Sequence, residues 1–209
     1  MTRIAARSPV LLGLTGGIGC GKSAAGAALE SLNVAVMDAD IEAHRLMRRG
    51  MPVYDEVVQA FGPAIVGTSG EIDRGRLAEI VFRDRARLEL LNTLVHPAVR
   101  ECWRQWTAAR FEEGRDAAVI IPLLYEVGET AGWDAVICVA ASEALVRARL
   151  RERGMSEQQM TERIGAQMPL DEKCRRADYV IWNNGSLKEL KESISVVYRE
   201  IISKRERSL

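Results

Sequence analysis

The chain has 209 residues, 47% of them apolar and 28% charged, with 29 cationic side chains balanced by 29 acidic ones. That composition belongs to a folded protein of one large domain, or of a core carrying an insertion, and excludes a disordered tail. Zero net charge excludes a global field drawing the chain onto nucleic acid or an anionic membrane, and no apolar run is long enough to span a bilayer.

The first segment, "MTRIAARSPVLLGLTGG", places two arginines before a short apolar run, as a signal peptide would. The run is too brief, and a glycine loop with a lysine follows at once, so a first buried strand is expected instead. Five apolar blocks fit strands. They are "VLLGLT" at 10–15, "VAVM" at 34–37, "AAVII" at 117–121, "AVICV" at 135–139 and "YVIW" at 179–182, the first being that initial strand. All are short and nearly continuous in apolar character, which predicts parallel strands covered on both faces. Helical stretches separate them, so the pattern is βαβα with right-handed crossovers.

The interval 41–114 holds no convincing strand. Pro52, Pro63 and Pro97 punctuate it, and "RGRLAEIVF" and "RARLELLNTLV" carry helical periodicity. It is longer than one crossover helix needs, which predicts a helical subdomain inserted in the α/β core. A second insertion, of lid type, is expected at about 142–176, where arginine and polar helix formers dominate. Apolar residues at Leu187, Leu190, Ile194, Val197 and Ile201 predict a last helix packed on the sheet. The core is then about 10–40, 115–141 and 177–204. The cysteines Cys20, Cys102, Cys138 and Cys174 form no C-x-x-C pair, which points away from zinc or disulfides and toward a cytoplasmic protein with reduced thiols.

Gly16, Gly21, Lys22 and Ser23 satisfy G-x-x-x-x-G-K-[ST], between a predicted strand and a helix expected at 22–31. Glycines let the backbone turn with its N–H groups inward, making a nest for phosphate oxygens, and the helix aims its positive end at the same point. Lys22 is placed to reach β- and γ-phosphates, and the Ser23 hydroxyl to bind Mg²⁺. The loop alone specifies a nucleotide, leaving a small-molecule kinase, a nucleotide-driven motor or a regulatory module open.

"MDAD" follows the second strand, and the carboxyl ends of strands in an open parallel sheet face the ligand crevice. Asp38 and Asp40 are therefore candidates for a proton acceptor and a Mg²⁺ partner, with helix capping as the bland alternative. In "LVRARLRERG", Arg149 and Arg153 share one helix face and Arg147 and Arg151 the opposite one. One pair is expected to meet the transferred phosphoryl group, and Arg149 with Arg153 is preferred.

These residues, together with "FGPAIVGTSGEIDRGRLAEIVF", "LNTLVHPAVR", "IPLLYE" and "RIGAQMPLDEKCRRADYVIWNNG", resemble the dephospho-coenzyme A kinase family over nearly the whole chain. The "HP" and "PLLYE" elements and the "AD…NNG" pair are not general features of phosphate-loop proteins. The resemblance implies an α/β P-loop kinase fold with a five-stranded parallel sheet, an inserted helical substrate domain and a lid. It implies transfer of the ATP γ-phosphate to the ribose 3′-hydroxyl of dephospho-coenzyme A, the last step of coenzyme A biosynthesis, by a cytoplasmic monomer or small homo-oligomer.

By position the resemblance makes Gly19, Cys20, Gly21, Lys22, Ser23 and Ala24 the ATP loop, Asp40 the base and Arg149 the lid arginine. It places Asn183 at the adenine, and Asp38, His96, Pro122, Leu123, Leu124 and Glu126 at the acceptor. A helix-end role for His96 and core roles for Leu123 and Leu124 stand beside these. Another small-molecule kinase of the same fold, acting on a nucleoside monophosphate or shikimate, is the nearest rival. The chain departs from many relatives in having Cys20 for a serine or alanine, Ala24 for a hydroxyl residue, and Ile120 for an acidic group. The last shifts Mg²⁺ duty toward Asp38. Cys20, at a helix N-terminus, is either a thiol of lowered pKa or an inert small side chain.

Overall fold

The structure, a computed structural model, describes residues 7–207 apart from the side chain of Phe82; residues 1–6 of the leading segment lie outside the described residues. Five strands, β1 (Leu11–Gly16), β2 (Ala35–Asp38), β3 (Ala117–Ile120), β4 (Ala135–Ala140) and β5 (Tyr179–Trp182), make one parallel sheet in the order β2-β3-β1-β4-β5. Leu12 of β1 lies opposite Ala118 of β3 and Ala135 of β4, so the first strand is the central one.

The chain divides into two compact units, residues 1–37 with 107–209, and residues 38–106. In the first, α1 (Lys22–Glu30) and α9 (Leu187–Arg207) pack on each other and on the sheet. Strand residues alternate sides. Leu12, Leu14, Ile120, Ile137, Val139 and Ile181 join one core with Ala25, Ala28 and Leu29 of α1 and Leu190, Ile194 and Ile201 of α9. Each large aliphatic buried there contributes about 2 kcal/mol. The alternate positions Thr15 and Cys138, opposite each other in register, meet the other layer. There the Cys138 Sγ lies 3.8 Å from Cys174 Sγ of α8 (Leu170–Arg176). Burial pushes the Cys138 and Cys174 thiols up, so both stay protonated.

The expectation that every strand is covered on both faces holds for β1, β3 and β4, weakens at the edge strand β2, where Val36 and Asp38 are half-buried, and fails for β5. Val180 is 37% exposed and Trp182 54%, because β5 is an edge strand. The stretch 142–176 folds as α6 (Glu143–Glu152), α7 (Glu157–Gly165) and α8, and it belongs to the first unit rather than standing apart.

At the starts of the strands, aspartates close the sheet. Asp116 accepts from Val10 N–H, Asp134 from Leu11 N–H, and Asp178 from Val136 N–H. Asp116 also accepts from Arg7, at 2.8 Å on Oδ1, and from the Tyr198 hydroxyl. Burial alone pushes the Asp116 carboxyl up, but these donors together hold it below the usual carboxylate range. Tyr198 is pushed up to about 12 by burial and by the neighbouring carboxylate.

The second unit contains α2 (Ala39–Leu46), α3 (Tyr54–Phe61), a 3₁₀ turn (Pro63–Ile65), α4 (Arg74–Arg83) and most of α5 (Arg85–Glu112). Leu46, Val53, Val57, Ile65, Leu77, Val81, Val95, Val99 and Trp103 are among its buried side chains. Aspartates start its helices as well, since Asp73 Oδ1 accepts from Gly75 and Arg76 and Asp84 Oδ1 from Ala86 and Arg87. Satisfying two orphan N–H groups at once is what makes aspartate a good cap. Pro97 does not punctuate: it lies inside α5, a helix of 28 residues. A proline there costs the bond to the Thr93 carbonyl, and the rest of the long helix outweighs it.

Candidate active site

The glycine-rich loop joins β1 to α1. Gly16 has φ 141, and a Cβ on it would lie 2.1 Å from the Val139 carbonyl oxygen. Gly21, the residue before α1, has φ 98, and a Cβ there would lie 2.2 Å from Asn183 Nδ2. A side chain at either position would meet both a strained backbone and an occupied space. The motif's two fixed glycines are thus where the chain passes closest to β4 and to the residue after β5.

That residue, Asn183, is 7% exposed and donates Nδ2–H to the Cys20 carbonyl at 2.9 Å. Arg149, from α6, donates to the Gly19 carbonyl at 3.3 Å and to the Asn183 carbonyl at 2.9 Å. Loop, α6 and the end of β5 are tied in a ring by two side chains. Gln167 adds a third tie, accepting the Ile18 N–H at 3.0 Å. The Lys22 ammonium lies over the loop, donating to the Gly16 carbonyl at 3.1 Å and the Gly17 carbonyl at 2.9 Å. Ser23 is exposed on the first turn of α1, and Ala24 is half-buried behind it. Two cations and the positive end of α1 therefore converge on one turn of backbone, a setting that holds oxyanions.

Of the expected arginine pair, Arg149 meets the loop, whereas Arg153 has left α6 and forms its C-cap at φ −84, ψ 7. The helix ends at Glu152, so the face shared by the two does not exist there. Arg147 and Arg151 both pair with Glu157, a carboxylate held below the usual range by these guanidinium groups.

Cys20 is 1% exposed, and burial pushes its thiol above the ordinary value despite the nearby Lys22 and Arg149. The reading with a lowered thiol pKa is overturned: desolvation outweighs the local positive field.

Asp38 ends β2, and its Oδ1 accepts the N–H groups of Asp40, at 2.9 Å, and Ile41, at 3.3 Å. Capping by Asp38 is thus real. Asp40 lies on the first turn of α2 with its side chain exposed. Burial and Arg74 push His44, one turn on, below the usual imidazole range against the pull of Asp40 and Asp38. His44 is therefore neutral at pH 7, a neighbour that periodicity and motif do not reveal. His96 is half-buried in the interior of α5, next to buried Val95, and does not end a helix.

In the 122–126 segment the residues separate. Leu124 is fully buried, and a Cβ on Gly13 would meet its Cδ1 at 3.1 Å, so it serves the core. Leu123 is 37% exposed and can meet a ligand. The Pro122 carbonyl accepts from Thr15 Oγ1 and from Lys173 Nζ, and Glu126 Oε1 pairs with the same ammonium. Glu126 is thus bound into the protein rather than extended into solvent. Lys173 and Gln167 are absent from the residues the sequence singles out. The available signal was that Lys173 is one of five lysines among 29 cationic side chains, and stands inside a motif.

Comparison with known proteins bears on this arrangement. The dephospho-CoA kinase family model matches residues 10–189. A curated dephospho-CoA kinase from Bacillus cereus is 41% identical over 192 residues, covering 91% of this chain and 96% of the relative. One from Symbiobacterium thermophilum is 44% identical over 192 residues, covering 90% and 80%. The crystal structure of TT1252 from Thermus thermophilus matches with a TM-score of 0.80 at 35% identity, covering 93% of this chain and 98% of that one. A family model spanning most of the sequence, relatives above 40% identity and a loop whose glycines are sterically required together place this chain in the dephospho-CoA kinase family.

Proposed function

We propose that this protein transfers the γ-phosphoryl group of ATP to the ribose 3′-hydroxyl of dephospho-coenzyme A, giving coenzyme A and ADP. The observation that carries it is the loop: three glycines at positive φ, an ammonium and a helix N-terminus around one backbone turn, in a chain of this family. The new bond joins the 3′-oxygen to the γ-phosphorus, the bond from that phosphorus to the β-bridging oxygen breaks, and the hydroxyl proton leaves.

Residues 19–24 cradle the phosphates with backbone N–H groups. Lys22 exchanges loop carbonyls for phosphate oxygens, and Arg149, already anchored to Gly19, neutralises charge on the transferring group. Asp40, exposed on α2, accepts the hydroxyl proton. Asn183 shapes the adenine side, and Asp38, His96, Leu123 and the backbone of Pro122 shape the acceptor side.

Ser23 offers an exposed hydroxyl and Asp38 a carboxylate, oxygen donors of the kind Mg²⁺ takes beside its retained waters. Ser23 and Asp38 are the residues that would hold the ion, which when bound offsets charge on the β- and γ-phosphates. In this reading 41–114 carries the coenzyme portion, and α6 with α7 closes over the phosphates as a lid and excludes water. No helix among the described residues is long and apolar enough to cross a membrane, and a cytoplasmic place is part of the same proposal.

The test offers purified protein ATP with dephospho-coenzyme A, then with nucleoside monophosphates and shikimate. Coenzyme A formation is expected with the first acceptor alone. Turnover only with the others, or nucleotide binding without transfer to any of them, removes the reading.

A further inference from the structure

The 122–126 loop is held in shape by a side chain that the phosphoryl-transfer reading leaves unused. Lys173, on α8, has no exposed surface. Its Nζ donates to the Pro122 carbonyl at 2.7 Å and pairs with Glu126 Oε1 at 2.8 Å, so one ammonium grips both ends of the loop. Thr15 Oγ1 of β1 reaches the same carbonyl at 3.3 Å, and Met168 N–H donates to the same carboxylate oxygen at 2.9 Å.

Burying a cation carries a desolvation penalty, and an apolar side chain of similar volume would often be as stable or more so. Stability alone is therefore a poor reason for a lysine here. The chain uses twenty-four arginines and five lysines, and Lys22 and Lys173 are the two lysines outside α9. A guanidinium fork matches one planar carboxylate, whereas a compact ammonium suits two oxygens converging from a single small loop.

We propose that Lys173 is a positioning residue for phosphoryl transfer: by holding the Pro122 carbonyl and the Glu126 carboxylate together, it fixes how the exposed Leu123 meets the acceptor. This rests on the acceptor-side role given to the loop above.

The test compares wild type with Lys173→Met and with Lys173→Met/Glu126→Gln, the second removing the carboxylate that the first leaves unpaired. Amide hydrogen exchange over 122–129 reports on the loop without any turnover, since Leu124, Val127 and Glu129 N–H groups are bonded within it. In both variants that exchange should quicken by about tenfold or more, while exchange over 16–23 is unchanged. The acceptor kcat/KM should fall about 100-fold, with the acceptor KM raised and the ATP KM unmoved.

If ATP and acceptor parameters fall together, or if the double variant regains both wild-type melting and wild-type acceptor kcat/KM, Lys173 is structural only and the proposal is overturned. Should neither variant fold, Glu126→Gln alone must show the same pattern at smaller amplitude, and no change in it overturns the proposal. Absence of transfer by wild type would remove the functional reading on which the positioning role rests; exchange would then report loop anchoring alone, with unchanged exchange in the variants refuting that as well.

Discussion

At the amino edge of the sheet, Asp116, Asp134 and Asp178 turn back to accept strand N–H groups, and Arg7 and Arg205 pair with the first two. At the carboxyl edge the polarity is reversed. Lys22 and Arg149 rest on the carbonyls of Gly16, Gly17, Gly19 and Asn183. A cation matched to a carboxylate is satisfied and gives little up, whereas Arg149, lying on the neutral carbonyls of Gly19 and Asn183, gains by exchanging them for phosphate oxygens. Charge at the amino edge holds the shape of the protein, and the Arg149 charge at the carboxyl edge lies where a ligand can take it up.

The largest break in that contrast is Lys22→Ala. Transfer should fall by about a thousandfold or more while thermal melting hardly moves, because the lost bonds go to a loop already tied by Arg149 and Asn183. Steady-state turnover and calorimetry on one preparation check both halves. Asp40→Asn should lower kcat by about a hundredfold or more and leave ATP affinity unchanged, since the role proposed for this exposed carboxyl is toward a proton rather than the nucleotide. Equal losses in both would reassign Asp40 to metal or structure.

The opposite edge should respond the other way. Asp116→Asn is expected to cost about 2 kcal/mol at pH 7 and to leave kcat unchanged, since it weakens a charged, buried hydrogen-bond set remote from the loop. The Asp116 carboxyl is held below its ordinary value in the folded chain. Its stabilising effect is therefore complete above about pH 4 and drains away as pH falls through the lowered folded-state value. Melting temperatures of variant and wild type should converge on acidification. A constant gap across that range would show that Asp116 acts through packing alone.

The smallest expected effect concerns Cys20. With 1% exposure and a raised thiol pKa, it should react with iodoacetamide at least about tenfold more slowly in the folded protein than after unfolding. Mass spectrometry of labelled peptides checks this, and rapid labelling of Cys20 in the folded chain would contradict the burial.

Much of the carboxyl edge was legible from the residues. A G-x-x-x-x-G-K-S run needs its glycines for local backbone reasons, and five apolar blocks between helical periods imply a parallel sheet without any knowledge of their neighbours. Pro97 was misread for the converse reason: proline disfavours a helix interior locally, but two dozen other helical residues of α5 outvote it. Leu123 and Leu124 look alike in sequence, but Leu124, packed beside Gly13 from more than a hundred residues earlier, is the buried one.

The sequence by itself determined the phosphate loop, the α/β alternation and the kinship, because each is written in spacings of a few residues whose physics is local. Tertiary structure alone decided that β1 is central and β5 an edge, and that Lys173 lies without exposure under the 122–126 loop. Those outcomes depend on which distant segments share a sheet or a layer. Burial of a charge is settled by oxygens brought from elsewhere in the chain, not by the residues beside it.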